Sequence, residues 1–151
     1  MIVSDSTALI VLFDLDRVEL LENLFEDLYI TPIVLDEISV KYPIVLPSFM
    51  KVVKLEEKEL FDSLKKLLDL GESEAIALAK ERSLSLIMDE KKGRKIAKAM
   101  GLTVIGLLGV VYLNVKKGFL SKDEARSFLD DALAHGYRIS PKMLKDVLGE
   151  L

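Results

Sequence analysis

Short apolar runs alternate along this chain with longer stretches whose apolar side chains recur every three or four positions. Ile2-Val3-Ser4 is such a run, and a strand there ends at Asp5. Leu9, Leu12 and Phe13, then Val18, Leu21, Leu24, Phe25 and Leu28, recur at helical spacing, which predicts helix through that stretch. Tyr29-Ile30-Thr31 reads as a second strand. Thr31 and Pro32 then open a helix to about Lys41, with Thr as N-cap and Pro at the first helical position. A loop at Tyr42 to Ser48 holds Pro43 and Pro47, and Met50 to Leu55 makes a short strand or edge. Helix is predicted from Glu56 to Leu70. Gly71 ends it, and Glu72-Ser73-Glu74 begins another to about Arg82, so two helices meet at Gly71 as an αα-hairpin. Leu84 to Met88 is a strand-length apolar run ending at Asp89, followed by a basic helix through Met100. Thr103-Val104-Ile105 is a further strand and leads into a helix from about Leu107 to Lys117. Ser121 with Glu124 is a capping box, and Ser140-Pro141 starts the final helix.

Short apolar strands alternating with helices indicate βαβ units, hence an α/β fold whose parallel sheet is covered on both faces. In such sheets ligands bind beyond the carboxyl ends of the strands. Asp5 and Asp89 both fall there.

With 151 residues, half of them hydrophobic, the chain has the size of one domain spanning 1–151, which excludes intrinsic disorder as its main theme. It has no cysteine, which excludes disulfides, thiolate metal sites and a Cys nucleophile, and suits a reducing cytoplasm. The first residues, MIVSDS, lack the basic region of a signal peptide. Ala99 to Val115 carries no charge, but its three glycines, Thr103 and Asn114 favour a buried strand-turn-helix over a membrane span.

Helices add two acids to the pair at the strand ends. Glu37 projects from the helix opened by Pro32. Glu72 and Glu74 lie about 200° apart on a helix, so one of them points inward. Glu74 is the choice, because it shares a face with Leu78 and precedes the small Ala75. Carboxylates gathered in one cleft repel one another unless a cation offsets them. Oxygen ligands without His or Cys select Mg²⁺ or Mn²⁺, ions that bind phosphate oxygens and acidify bound water. The chemistry implied is phosphodiester hydrolysis. Taken alone, four acids in an acidic chain are a weak signal, better read as solvated caps and loop residues. Charge asymmetry adds weight: the net charge is −4, yet five of the eight residues from Lys91 to Lys98 are basic, while Asp14 to Asp27 holds six acids and one Arg. A phosphate backbone across one face would suit that distribution.

The stretches VSDSTALIVL (Val3–Leu12), TPIVLDEI (Thr31–Ile38), GESEAIALA (Gly71–Ala79), IMDEKKGRKIAKAMGLTVIGLLGVV (Ile87–Val111) and HGYRIS (His135–Ser140) resemble PIN-domain ribonucleases. They are most similar to the prokaryotic branch related to VapC-type toxins of toxin–antitoxin modules. The resemblance implies a three-layer α/β/α fold with a central parallel sheet, and cleavage of single-stranded RNA with Mg²⁺ or Mn²⁺. Carried over residue by residue, it implies Asp5, Glu37, Glu74 and Asp89 as catalytic and metal-binding acids. Asp5 and Asp89 would be direct ligands, with Glu37 and Glu74 holding a second ion or its waters. Ser6 would support the site as the hydroxyl after the first acid, and Glu90 is a second acid beside Asp89, with either of the two open as the one that reaches the metal. Lys91, Lys92, Arg94 and Lys95 would hold the RNA backbone. An antitoxin protein and a homodimer are further expectations of the resemblance.

Three rivals remain at this level. Phe13-Asp14-Leu15-Asp16 mimics the D-x-D opening of haloacid-dehalogenase-type phosphatases, but helical periodicity continues through it. His135, the one histidine, fits the last turn of a helix before Gly136 better than a catalytic triad. A non-catalytic module of the same fold, binding RNA or a protein, is the third.

Overall fold

The computed structural model describes residues 1–40 and 43–150. Its five short strands are β1 (Ile2–Ser4), β2 (Leu28–Ile30), β3 (Met50–Val52), β4 (Ser85–Ile87) and β5 (Val104–Ile105). They form one sheet in the order β3-β2-β1-β4-β5. Every neighbouring pair is parallel. A parallel sheet is covered on both faces, so its strands read as unbroken apolar runs. Val3, Leu28, Ile30 and Leu86 are indeed wholly buried.

Among the described residues nine helices flank this sheet: α1 (Ser6–Asp14), α2 (Glu19–Glu22), α3 (Pro32–Ile38), α4 (Glu59–Leu64), α5 (Leu70–Arg82), α6 (Lys91–Ala99), α7 (Leu107–Lys116), α8 (Lys122–Ala134) and α9 (Pro141–Glu150). The architecture is the three-layer α/β/α fold. The chain builds outward from β1 to β3, then crosses back through α4 and α5 to β4 on the other side of β1. That reversal makes β1 and β4 the switch point, where open α/β sheets form their binding crevice. Helix α5 packs on both strands.

Periodicity overran the first helix. It stops at Asp14 because Asp16 takes a left-handed conformation (φ 55°), which Asp tolerates better than most residues, and the Arg17 N–H closes the turn on the Leu12 carbonyl. Asp14 thus closes a helix and not a strand, which removes the basis of the phosphatase comparison. The predicted helix from Glu56 shrinks to α4, because the Glu56 and Glu57 N–H groups are taken by the Glu81 carboxylate at 2.9–3.2 Å. Gly71 does not separate two helices: it lies inside α5, which starts at Leu70, so the hairpin turn comes earlier. Helix α3 ends at Ile38. The expected end of that helix at Lys41 and the start of the loop at Tyr42 lie outside the described residues. The uncharged segment 99–115 holds β5 and most of α7, and no helix among the described residues is long and apolar enough to cross a membrane.

One buried polar side chain ties the helical layer together. Asn114 of α7 donates through Nδ2 to the Leu20 carbonyl of α2 (2.9 Å) and to the Val110 carbonyl (2.9 Å), while its Oδ1 accepts from Asn23 (3.1 Å). An unpaired buried carbonyl costs about 1–3 kcal/mol. Asn114→Ala is therefore expected to lower the free energy of urea unfolding by about 2 kcal/mol. Unchanged stability would mean that apolar packing alone holds α2 on α7.

Candidate functional site

Asp5 is the first residue beyond β1. Its N–H donates to the Ile87 carbonyl of β4 (2.9 Å), which fixes it over the switch point, and it is the N-cap residue of α1. It is 3% exposed, and its Oδ1 has no hydrogen-bond partner. Burial is the main reason its pKa rises to about 7. The Ser6 N–H opposes that rise, and the charges of Glu37, Asp69 and Asp89 add to it.

Those three acids come from three other elements. Glu37 stands in the last turn of α3, where the helix dipole disfavours an anion. Its Oε1 is buried without a partner. Burial and Asp69 raise its pKa, and a hydrogen bond from Ser6 partly reverses that. Asp69 caps α5, accepting the Glu72 N–H at 2.8 Å. Glu72, three residues on, is 7% exposed, and its Oε2 is also unpartnered. Burial, with Asp69 and Glu90 beside it, pushes its pKa up to about 9. Glycine permits the approach of α5 to Glu37: a Cβ at Gly71 would lie 2.0 Å from Glu37 Oε1.

Asp89 follows β4 and is held from both sides. Its carboxylate accepts the Leu107 N–H that opens α7 (3.1 and 3.3 Å) and a short hydrogen bond from the Tyr137 hydroxyl. Burial raises its pKa, against the lowering effect of Tyr137, Leu107 and Arg94. Glu90 instead turns back to cap α6, accepting the Gly93 N–H at 2.7 Å, and that bond holds its pKa below the usual value.

The structure therefore brings Asp5, Glu37 and Asp89 together with Ser6 and Glu90, but it sends Glu74 elsewhere. The Glu74 carboxylate accepts the Ile33 N–H of α3 (3.1 Å) and serves that helix start. Of the two acids on opposite faces, Glu72 is the one turned inward. A shared face with Leu78 did not single out the inward acid, because Ile76, four residues after Glu72, is as fully buried as Leu78. Asp69-Leu70-Gly71-Glu72 carries the N-cap and N3 acids of a helix beginning at Leu70, and reading it so would have pointed to both Asp69 and Glu72. Lys91, Lys92 and Lys95 are exposed on α6. Arg94 is half-buried and donates to the Met88 carbonyl at 2.9 Å, which leaves it a local positioning role. His135 is exposed at the end of α8, its Nδ1 against the Asp131 carbonyl (3.0 Å), as the helix-end reading expected.

A family model described as a PIN domain matches residues 1–151. The chain belongs to the PIN-domain family. No curated protein matches it significantly. PIN domains have a nuclease-type fold and are in general nucleases that use divalent metals, and the donor set of this one fits such an ion. Three buried carboxylate oxygens, Asp5 Oδ1, Glu37 Oε1 and Glu72 Oε2, lack partners, and every candidate ligand is a hard oxygen. Among the described residues no three acids form a ready-made cage. That is compatible with Mg²⁺, which keeps several waters and uses one or two carboxylates.

Two outcomes follow for this PIN domain. Asp5 has a folded pKa raised from 3.8 to about 7, so its contribution to stability is full below pH 4 and is lost as pH rises through 7. In EDTA the protein is expected to be more stable to urea at pH 5 than at pH 8, with Asp5 contributing about 3 kcal/mol of the difference, and Asp5→Asn should reduce the difference by about that much. Equal stability at both values in the wild type would contradict the burial of an unpartnered carboxylate. Gly71→Ala should displace the Glu37 carboxylate with a folding cost under about 1 kcal/mol, since Ala suits a helix. It should also shrink the rise in melting temperature expected on adding Mn²⁺. A variant that keeps the full Mn²⁺ effect would show that Glu37 does not face the ion.

Proposed function

We propose that this PIN domain is a Mg²⁺- or Mn²⁺-dependent endoribonuclease that hydrolyses phosphodiester bonds of single-stranded RNA. In this reading it is the toxin of a cytoplasmic toxin–antitoxin module, forming a homodimer and restrained by an antitoxin protein. The observation that carries the catalytic part is the set of three buried, unpartnered carboxylate oxygens at the switch point of the sheet.

Asp5, Glu37, Glu72 and Asp89 would hold the ion, with Glu72 taking the place first given to Glu74. When bound, a divalent cation supplies the positive charge that neutralises a phosphodiester and acidifies a water. The protein's own share is orientation. Leu107 and Tyr137 fix both oxygens of Asp89, and Ser6 meets Asp5 through its N–H and Glu37 through its side chain. Exposed Lys91, Lys92 and Lys95 flank the acids on α6 and suit a phosphate backbone, attracting it without reading sequence.

Cleavage of a mixed-sequence single-stranded RNA is expected with Mn²⁺ and not with EDTA. Asp5→Asn and Glu72→Gln should each lower the rate by about 100-fold, and Glu74→Gln by much less. Loss of activity in Glu74→Gln with none in Glu72→Gln would return the site to its first assignment. Absence of both cleavage and Asp5-dependent stabilisation by Mn²⁺ would favour a non-catalytic binding module.

A further inference from the structure

Beside the acids a cleft of about 370 Å³ opens between α1 and the turn that follows α8. It is lined by Thr7, Ile10 and Val11 of α1, by His135, Tyr137 and Arg138 after α8, and by Asp89 and Glu90. We infer that this cleft takes one nucleotide unit of the substrate strand, its base against Ile10 and Val11 and its phosphate on Arg138. The inference rests on the nuclease reading and gives that site a binding pocket outside the α6 lysines.

The volume lies at the small end of ligand pockets, about 300–1,000 Å³, so the cleft suits one nucleotide and not a folded partner. Ile10 and Val11 give it an apolar surface, and His135 adds an imidazole, a flat group on which unstacked bases of single-stranded RNA pack. Arg138 is exposed and makes no ion pair among the described residues, unlike Arg17 and Arg82, which face carboxylates, and Arg94, which is bonded to a carbonyl. It is thus free to take a phosphate. Two other cavities suit a nucleotide less well. One, of about 590 Å³, is lined by Glu57, Glu59 and Glu81 against a single Lys80, and would repel phosphate. The other, of about 250 Å³, has Ile10, Phe13, Ile38, Val40 and Ile44 with acids as its only charges.

The turn itself is braced for this task. Tyr137 is buried, and its hydroxyl donates to Asp89, so one lining residue of the cleft fixes another. Asp89 and Glu90 would repel a phosphate in the cleft unless a cation offset their charge, so nucleotide affinity should depend on metal.

The test is a ¹⁵N NMR titration of the full chain with the four ribonucleoside 5′-monophosphates, with and without Mg²⁺. Expected are amide shifts at Thr7, Val11, Gly136 and Arg138, stronger with Mg²⁺. Arg138→Ala should weaken affinity about tenfold, and Thr7→Trp, which fills the cleft from an exposed position, should abolish it. Both should raise the KM of oligoribonucleotide cleavage more than they lower kcat, and Arg138→Lys should restore part of the loss. Shifts confined to α6, no binding with Mg²⁺, or affinity unchanged in both variants would overturn the pocket. Metal- and Asp5-dependent cleavage indifferent to both variants would sink the pocket and leave the nuclease. Nucleotide binding here by a protein that cuts no RNA would keep the pocket and sink the nuclease.

Discussion

A parallel sheet obliges every crossover helix to begin at the edge where the strands end, and that constraint organises the whole site. Helix starts carry unpaired N–H groups and the positive end of the dipole, so carboxylates settle against them. Here five helices obey: Asp5 meets the start of α1, Glu74 that of α3, Asp69 that of α5, Glu90 that of α6 and Asp89 that of α7. The acids that gather at the carboxyl edge are therefore first a consequence of topology. What distinguishes the acids proposed to hold an ion is what the helix starts leave over: Asp5 Oδ1, Glu37 Oε1 and Glu72 Oε2 are buried without a hydrogen-bond partner.

Helix dipoles do not balance the charge that results. Asp5, Glu37, Glu72 and Asp89 all hold their protons more tightly than usual, chiefly because burial disfavours the anion, whereas exposed Glu90 shifts the other way. A chain shaped by stability alone would replace such acids with apolar groups of similar size. Their presence at the switch point between β1 and β4 is the pattern expected where binding or chemistry sets the requirement and stability yields.

Much of this was legible in residue order. Strand-length apolar runs ending in Asp marked β1 with Asp5 and β4 with Asp89, and the Thr-Pro start of α3 led to Glu37. Two things were hidden. The first is the inward face of α5: geometry along the helix separates Glu72 from Glu74, but Ile76 and Leu78 are both fully buried, so a shared face with Leu78 could not say which acid turns to the site. The second is the division of labour among basic residues. Five cations in eight positions read as one patch, yet Arg94 is spent on the Met88 carbonyl, while the unpaired Arg138 sits alone in sequence, brought beside Asp89 only by the turn after α8.

Glycine is the remaining condition, through its size more than its flexibility. Cβ atoms at Gly71, Gly93 and Gly106 would lie 2.0 Å from Glu37 Oε1, 2.5 Å from Met88 Sδ and 2.6 Å from Asp89 Oδ1. Gly71 and Gly93 lie in the first turns of α5 and α6, and Gly106 is the residue before α7. Each lets a helix start press close to the carboxyl edge of the sheet, and at Gly71 and Gly106 the group pressed upon is a carboxylate. A side chain there would hold the helix away from its acid, weakening the N–H bond that orients Asp89 or the enclosure that strips water from Glu37. Burial without full hydrogen bonding, the property that would suit these acids to a cation, thus depends on three positions that bear no functional group at all.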